Sequence, residues 1–385
     1  MTRRPRVVLE ALQVRPQPTG PGRSILELVG ALAAADRGFD FNVLCAHPEL
    51  FADVDGRPGW RLEACSGGAG GTVGRAWQLQ RMVPALVRRL GGDLLHCPQF
   101  LAPLRAGVPT VVTVHDLAWR RFPGTVEPAR RAYYRLLVGP TLRRAAAVLA
   151  NSEATAAEVR HFHPEAAPRV VVTPFGLPAW AAAAAAQEGW GPAPGRSGRP
   201  RFLCVGTLEP RKNHEGVLRA YARFLDGAGR SAAACPSLLF VGGRGWCDGP
   251  LRAAMAKLEA QGHLEVRGWC EPPELWRLYR TAHALLFPSL HEGFGFPILE
   301  AMAAGLPVLT SARGAMAEVA GEAALLVDPT STDDLARGLA RLAWDEPLRA
   351  RLAAQGGARA RQWTWERTAQ TTCAAYAGAL AAAKK

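Results

Sequence analysis

Two glutamates, Glu292 and Glu300, stand eight positions apart in the stretch 287–311, FPSLHEGFGFPILEAMAAGLPVLTS. Glu292 falls in a loop and Glu300 falls near the first turn of a short helix. Pro297 suits the first helical position, where its missing N–H would have no partner anyway. Gly305 stops that helix and Pro307 prevents its resumption. A helix N-terminus offers free N–H groups and partial positive charge to a phosphate. One carboxylate beside such a site and one inside it could hold the two hydroxylated ends of a nucleotide sugar. Two solvated glutamates on an ordinary strand–helix–strand turn would fit the same letters, and this stretch alone does not choose.

Two further groups carry chemistry. Arg211 and Lys212, in GTLEPRKN at 206–213, pair a guanidinium with an ammonium after a strand, which suits an anion. His115 and Asp116 follow the apolar run Pro109–Val114, at the strand end where open α/β sheets place ligands. A histidine simply bonded to its neighbour Asp116 is the competing reading. Asp53-Val-Asp55 has the DxD form that can hold a divalent ion on a diphosphate, but it lies in a polar turn region, and a surface turn is its default. No metal site is expected.

The elements that must position these groups alternate in two blocks. Arg6–Leu9, Phe41–Cys45, Asp93–His96, Pro109–His115, Ala147–Ala150 and Val170–Thr173 read as strands, with Glu10 breaking the apolarity of the first. Residues 53–74 read as irregular. A helical spacing over Ser24–Ala35 follows Thr19-Gly-Pro-Gly22, a ligand-approach loop of weak specificity by itself. Asn151-Ser152-Glu153 opens a helix as a capping sequence. The alternation restarts at Phe202–Val205 and runs through Leu238–Val241, Leu264–Val266, Ala284–Phe287, Pro307–Thr310 and Ala323–Val327. Two such blocks predict two doubly wound parallel sheets, an α/β chain. The expected domains are 1–180, a linker over the Ala-, Gly- and Pro-rich 181–200 whose alanines can themselves be helical, and 201–361, with a terminal helix at 362–385 returning to the first domain.

Composition narrows the classes. The chain has 385 residues, 49% apolar content and a formal net charge of +13. All but four of its 46 basic residues are arginine, the lysines being Lys212, Lys257, Lys384 and Lys385. The charge is scattered, without a basic run or basic–aromatic motif, which excludes specific nucleic-acid binding as a first reading. Eight dispersed cysteines without a CxxC pair suggest a reducing compartment. No signal-peptide core or membrane-length apolar run is evident, so a cytoplasmic protein is expected. The helical segment Glu127–Ala147 carries Arg130, Arg131, Arg135, Arg143 and Arg144 around Tyr133, Tyr134 and Leu136, a surface that could meet an anionic membrane.

Taken together, GTLEPRKN, E292-G-F-G-F-P-I-L-E300, VVTVHD at 111–116, ANSE at 150–153, Gly268-Trp269, PS at 288–289, AMAAGLPV at 301–308, Glu318-Val319 and WTW at 363–365 resemble glycosyltransferase family 4. This is a retaining family with an E-x7-E signature and the GT-B fold, two Rossmann-like domains with a cleft between them. The form of GTLEPRKN most resembles a mannosyltransferase-B-like branch of polysaccharide assembly. The resemblance implies a nucleotide-sugar donor on the second domain, with GDP-mannose first and UDP- or dTDP-sugars behind it. It implies a glycan or polyprenyl-linked acceptor, no cofactor and no metal. Arg211 and Lys212 would clamp the diphosphate beside Gly206. Glu300 would meet the ribose and Glu292 the sugar hydroxyls. The backbone of Gly293, Phe294, Gly295 and Phe296 would meet sugar and phosphate. His115, with Asp116, would approach the transferred sugar from the first domain. Gly20 and Gly22 would form the glycine loop for phosphate and acceptor, although Ser24 stands where the family's G-x-G-R-Y form has an aromatic.

Overall fold

A computed structural model describes residues 3–18, 20–65, 71–191, 199–229, 234–245 and 249–383. It forms two units, Met1–Gly176 with Thr364–Lys385, and Leu177–Trp363.

Short β-branched and leucine-rich runs build the first unit's sheet because both of its faces are covered and each strand can be apolar throughout. Its strands are β1 (Arg6–Ala11), β2 (Asp40–Cys45), β3 (Trp60–Ala64), β4 (Leu94–Cys97), β5 (Thr110–Val114), β6 (Ala147–Ala150) and β7 (Val170–Val172). All pair in parallel, in the order β3-β2-β1-β4-β5-β6-β7. The order reverses direction between β1 and β4, which leaves a crevice beyond their carboxyl ends. Glu10 does not end β1; it lies within the strand and is 6% exposed. The region expected to be irregular contains β3, whose Trp60 stacks on Phe41 at 4.4 Å. Helix Gly71–Trp77, a π-helical turn Gln78–Met82 and helix Val83–Arg89 follow.

Helix Gly20–Ala33 buries Ile25, Leu28, Val29 and Leu32, the i, i+3, i+4, i+7 stripe of an amphipathic helix. Helix Glu153–Phe162 starts where Ser152 Oγ accepts from the Thr155 amide, a cap whose loss would cost about 1 kcal/mol. The terminal helix, Trp365–Ala382, is capped by Thr364 and belongs to this unit. Its fully buried Tyr376 hydroxyl lies 2.7 Å from His96 Nδ1, and His96 Nε2 lies 2.9 Å from Thr113 Oγ1. Burial pushes His96 down to about 3, so it is a neutral core residue. Arg37 also pairs with Glu366 at 2.5 Å.

The second unit has β8 (Arg201–Val205), β9 (Ser237–Val241), β10 (Leu264–Arg267), β11 (Ala284–Phe287), β12 (Val308–Ser311) and β13 (Leu325–Val327). They form a parallel sheet in the order β10-β9-β8-β11-β12-β13, with its reversal between β8 and β11. Phe202, Phe240, Tyr221 and Leu339 are among the buried side chains of its core. Helix Thr332–Trp344 is capped by Ser331, whose Oγ accepts from the Asp334 amide. The alanine run of the expected linker is a helix, Ala179–Glu188, and lies in this unit; Gly189, at φ 93°, follows it. Alanine is the best helix former, so the run of six is helical as its composition allowed. The remainder of the expected linker, 192–198, lies outside the described residues, as do Cys247 and the last two residues of the expected terminal helix.

Candidate active site

The two strands that flank the second unit's reversal each release a loop, and the loops meet. The loop after β8 carries Gly206 to Asn213, and the loop after β11 carries Pro288 to Gly295. The Leu290 amide donates to the Arg211 carbonyl at 2.7 Å. Asn213 is buried in the left-handed region at φ 62°, where asparagine is one of the few side chains tolerated. From there its Nδ2 donates to the carbonyls of Pro288 and Pro329. Ser311 Oγ donates to the Ser289 carbonyl, tying β12 to the same loop.

Glu292 sits between two cations. Its Oε2 accepts from Arg211 Nη1 at 2.6 Å, and its Oε1 lies 2.5 Å from Lys212 Nζ. Ser289 Oγ donates to Oε1 at 2.9 Å, and Arg211 Nε also bonds Glu209 Oε2 at 2.8 Å. Burial alone would raise the Glu292 carboxyl, but Arg211 and Lys212 outweigh it and hold it down at about 2. For Lys212 burial outweighs the attraction of Glu292 and lowers its pKa. The ammonium also faces the Phe287 ring at 4.7 Å. Two cations and two carboxylates therefore neutralise one another at the mouth of the sheet. An anion approaching the two cations would have to compete with Glu292 for them.

Glycines make room for this cluster. A Cβ on Gly206, at φ 141°, would come within 3.3 Å of Lys212 Cε. A Cβ on Gly242, which follows β9 at φ 148°, would stand 2.2 Å from the Gly206 carbonyl oxygen. Gly295, at φ 122°, opens helix Phe296–Ala303. That helix begins one residue before the expected Pro297. Phe294 is buried against Phe296 and Trp363, with ring centroids 5.3 and 5.4 Å away. Its side chain therefore packs inward. Glu300, on the same helix, is 2% exposed, and its Oε2 accepts from the Tyr279 hydroxyl at 2.6 Å. The structure thus brings together Gly206, Arg211, Lys212 and Glu292, and places Glu300 on the adjoining helix. Sequence reasoning missed Glu209 and Tyr279. Glu209 was visible inside GTLEPRKN, but nothing in the spacing signalled Tyr279.

His115, Asp116, Gly20 and Gly22 belong to the first unit. His115 Nε2 lies 2.8 Å from the Pro98 carbonyl, so Nε2 carries the proton and Nδ1 is left as the acceptor. Burial lowers its pKa, and the ring is neutral near pH 7. Asp116 does not bond the imidazole: its Oδ1 accepts from the Ala118 amide at 3.0 Å. Gly20 and Gly22 begin helix Gly20–Ala33. A Cβ at Gly20 would meet nothing within 4 Å. Asp53 lies on the short 3-10 helix Pro48–Val54 and Asp55 ends it. Among the described residues no group of three or more potential ligands could hold a metal ion.

Two family descriptions cover most of the chain: glycosyl transferases group 1 over residues 192–359, and glycosyltransferase family 4 over 18–179. The chain belongs to the family 4 glycosyltransferases. It is 29% identical to the O-antigen chain mannosyltransferase B of Escherichia coli, across 93% of this chain and 96% of that one. It is 30% identical to a D-inositol 3-phosphate glycosyltransferase of Streptomyces bingchenggensis, across 73% and 64%. Its fold matches the sucrose-phosphate synthase of Thermosynechococcus elongatus with a TM-score of 0.75 at 23% identity, over 98% of this chain and all of that one. The fold is of the GT-B type, with two Rossmann-like domains, and the protein is a glycosyltransferase.

Proposed function

We propose that this glycosyltransferase moves a hexose, with retention at the anomeric carbon, from a nucleotide diphosphate to an acceptor hydroxyl. Mannose from GDP-mannose is the first assignment, and the acceptor is a glycan, carried on a polyprenyl lipid in cell-surface assembly. The observation that carries the reading is the Arg211–Lys212–Glu292 cluster at the carboxyl ends of β8 and β11. The two cations bind the diphosphate and stabilise its departure without a metal, aided by the N-terminus of helix Phe296–Ala303. Glu292 turns to the sugar hydroxyls, the 293–296 backbone approaches sugar and phosphate, and Glu300 takes the ribose. His115 acts as a neutral acceptor through Nδ1, with Asp116 fixing the backbone turn that follows it. Gly20 and Gly22 admit the acceptor. The likeness to a mannosyltransferase across nearly the full chain supports the choice of sugar.

A second reading keeps the chemistry but uses a UDP- or dTDP-sugar and a small acceptor; the relative named for inositol 3-phosphate favours it. Thermal shift against GDP-mannose, UDP-glucose and a dTDP-sugar separates the two, since a ligand held by the native state raises its apparent stability. No shift with any nucleotide sugar would refute both. Proton NMR of the product tests retention, and an inverted linkage would refute it.

No helix among the described residues is long and apolar enough to cross a membrane. We propose a peripheral contact through helix Pro128–Arg144, where Leu136 is 70% exposed amid arginines. Sedimentation with anionic but not neutral vesicles is the expected result.

A further inference from the structure

The first unit has its own crevice where its strand order reverses, and its chemistry differs from that of the donor cluster. A cavity of about 100 Å³ opens there between the loop after β1 and the loop after β4. Glu10 lines it from β1, Gln99 from the loop after β4, and Tyr133 and Tyr134 from helix Pro128–Arg144. Three guanidiniums, of Arg15, Arg75 and Arg130, come to it from three separate segments.

Part of the unit's basic charge is neutralised locally, but not at these three arginines. Arg3, Arg4, Arg37, Arg89 and Arg121 of the same unit each pair with a carboxylate. Among the described residues Arg15, Arg75 and Arg130 make no ion pair or hydrogen bond, and the only carboxyl lining the cavity is Glu10. Its Oε1 accepts from the Leu12 amide at 3.0 Å. Burial raises its pKa to about 7, so near neutrality it cancels less than one of the three positive charges. Burial raises the Tyr134 hydroxyl's pKa, and Arg130 and Arg75 offset part of that rise.

The wall is also built with unusual backbone. Gln78 lines the cavity at the start of the π-helical turn Gln78–Met82, and such turns are rare and recur at functional sites. Gln80, within that turn, donates to the Ala102 carbonyl and accepts from the Leu104 amide. The turn is thereby locked to the chain that follows β4. Three guanidiniums without a partner among the described residues converge with two tyrosines and side-chain amides at a sheet's switch point, chemistry that suits a polyvalent anion.

We infer that this cavity binds a phosphate or diphosphate group borne by the acceptor. The inference rests on the glycosyltransferase reading only in naming that ligand an acceptor. Such a group reaches the site either on a polyprenyl diphosphate or on a free sugar phosphate, and the shared recognition is of its oxygens by Arg15, Arg75 and Arg130.

The test is calorimetric titration of the full chain with geranyl diphosphate, mannose 1-phosphate and, as the neutral control, methyl mannoside. GDP is held in excess so that any donor site is filled. The expected result is binding of at least one phosphorylated probe, with methyl mannoside roughly tenfold weaker or silent. Arg75→Gln/Arg130→Gln should lose roughly tenfold or more for that probe, while Arg135→Gln, outside the cavity lining, should not. Both substituted arginines are exposed, so the fold should survive, and an unchanged melting temperature confirms it. A preference for geranyl diphosphate identifies a lipid-borne source, and one for mannose 1-phosphate identifies a soluble source. Equal affinity in the double variant, or no binding of either phosphate, overturns the inference. Lys212→Ala keeps the outcomes separate: if the donor assignment alone fails, GDP affinity is indifferent to that change while the arginine pair still governs the probes.

Discussion

The Arg211 guanidinium and the Glu292 carboxylate meet at 2.6 Å, although 81 positions separate them in the chain. They meet because β8 and β11 are neighbours at the sheet's reversal and both end on the same side. The contact also neutralises the guanidinium that a diphosphate would require. Glu292→Ala leaves two poorly exposed cations without this partner, so a loss of about 3 kcal/mol in urea melts is expected. Donor turnover should fall at least about a hundredfold, because the proposed function also gives Glu292 the sugar hydroxyls. Turnover within a factor of two of the parent would remove Glu292 from the site.

Glu10 and Glu292 impose opposite pH dependences. Glu292, held at about 2, stabilises the fold above its ordinary value of 4.5, and this is lost as pH falls from there through 2. Glu10, raised to about 7, is protonated in both states below 4.5; between 4.5 and 7 the unfolded chain releases a proton that the native state keeps. Stability therefore falls as pH rises through that window, by about 3 kcal/mol in full. Urea melts from pH 5 to 8 should show this decline, and Glu10→Gln should flatten it. Equal slopes in the two proteins would contradict the burial of an uncompensated carboxyl.

Tyr279→Phe removes the hydroxyl that donates to a Glu300 oxygen at 2.6 Å in a site only 2% exposed. The expected cost is about 1–3 kcal/mol, since a buried acceptor loses a donor. If Glu300 takes the ribose, KM for the donor should rise more than kcat falls. A fall in kcat alone would place Glu300 elsewhere in the reaction.

Two glycines should respond in opposite ways. Gly242→Ala forces a Cβ to 2.2 Å from the Gly206 carbonyl oxygen at φ 148°, so about 2 kcal/mol or more of stability should go, with donor binding. Gly20→Ala places its methyl in open space, and stability should change by less than about 0.5 kcal/mol. A loss of turnover in Gly20→Ala at unchanged melting temperature would mark a ligand's approach; unchanged turnover would exclude the loop from the site.

Strand-length apolar runs, the Ser152 cap, the glycine at 206 and the Arg211-Lys212 dipeptide were readable because each acts over a few residues of chain. Such local rules foretold two parallel sheets and put Glu292, Arg211 and His115 at strand ends. They failed at Glu10, which a single-residue reading took for a break and the sheet accepts as a buried carboxyl. At the alanine run the helix that its propensity allowed is present, and it lies in the second unit. Only the tertiary structure decided that Glu292 answers Arg211 and Lys212, that Tyr279 holds Glu300, and that Asp116 caps a turn and leaves His115 to Pro98. Only folding, likewise, gathers Arg15, Arg75 and Arg130 around one cavity. The physical reason is the same in every case: partners on different strands are set by strand order, and strand order is a property of the packed sheet rather than of any window of sequence.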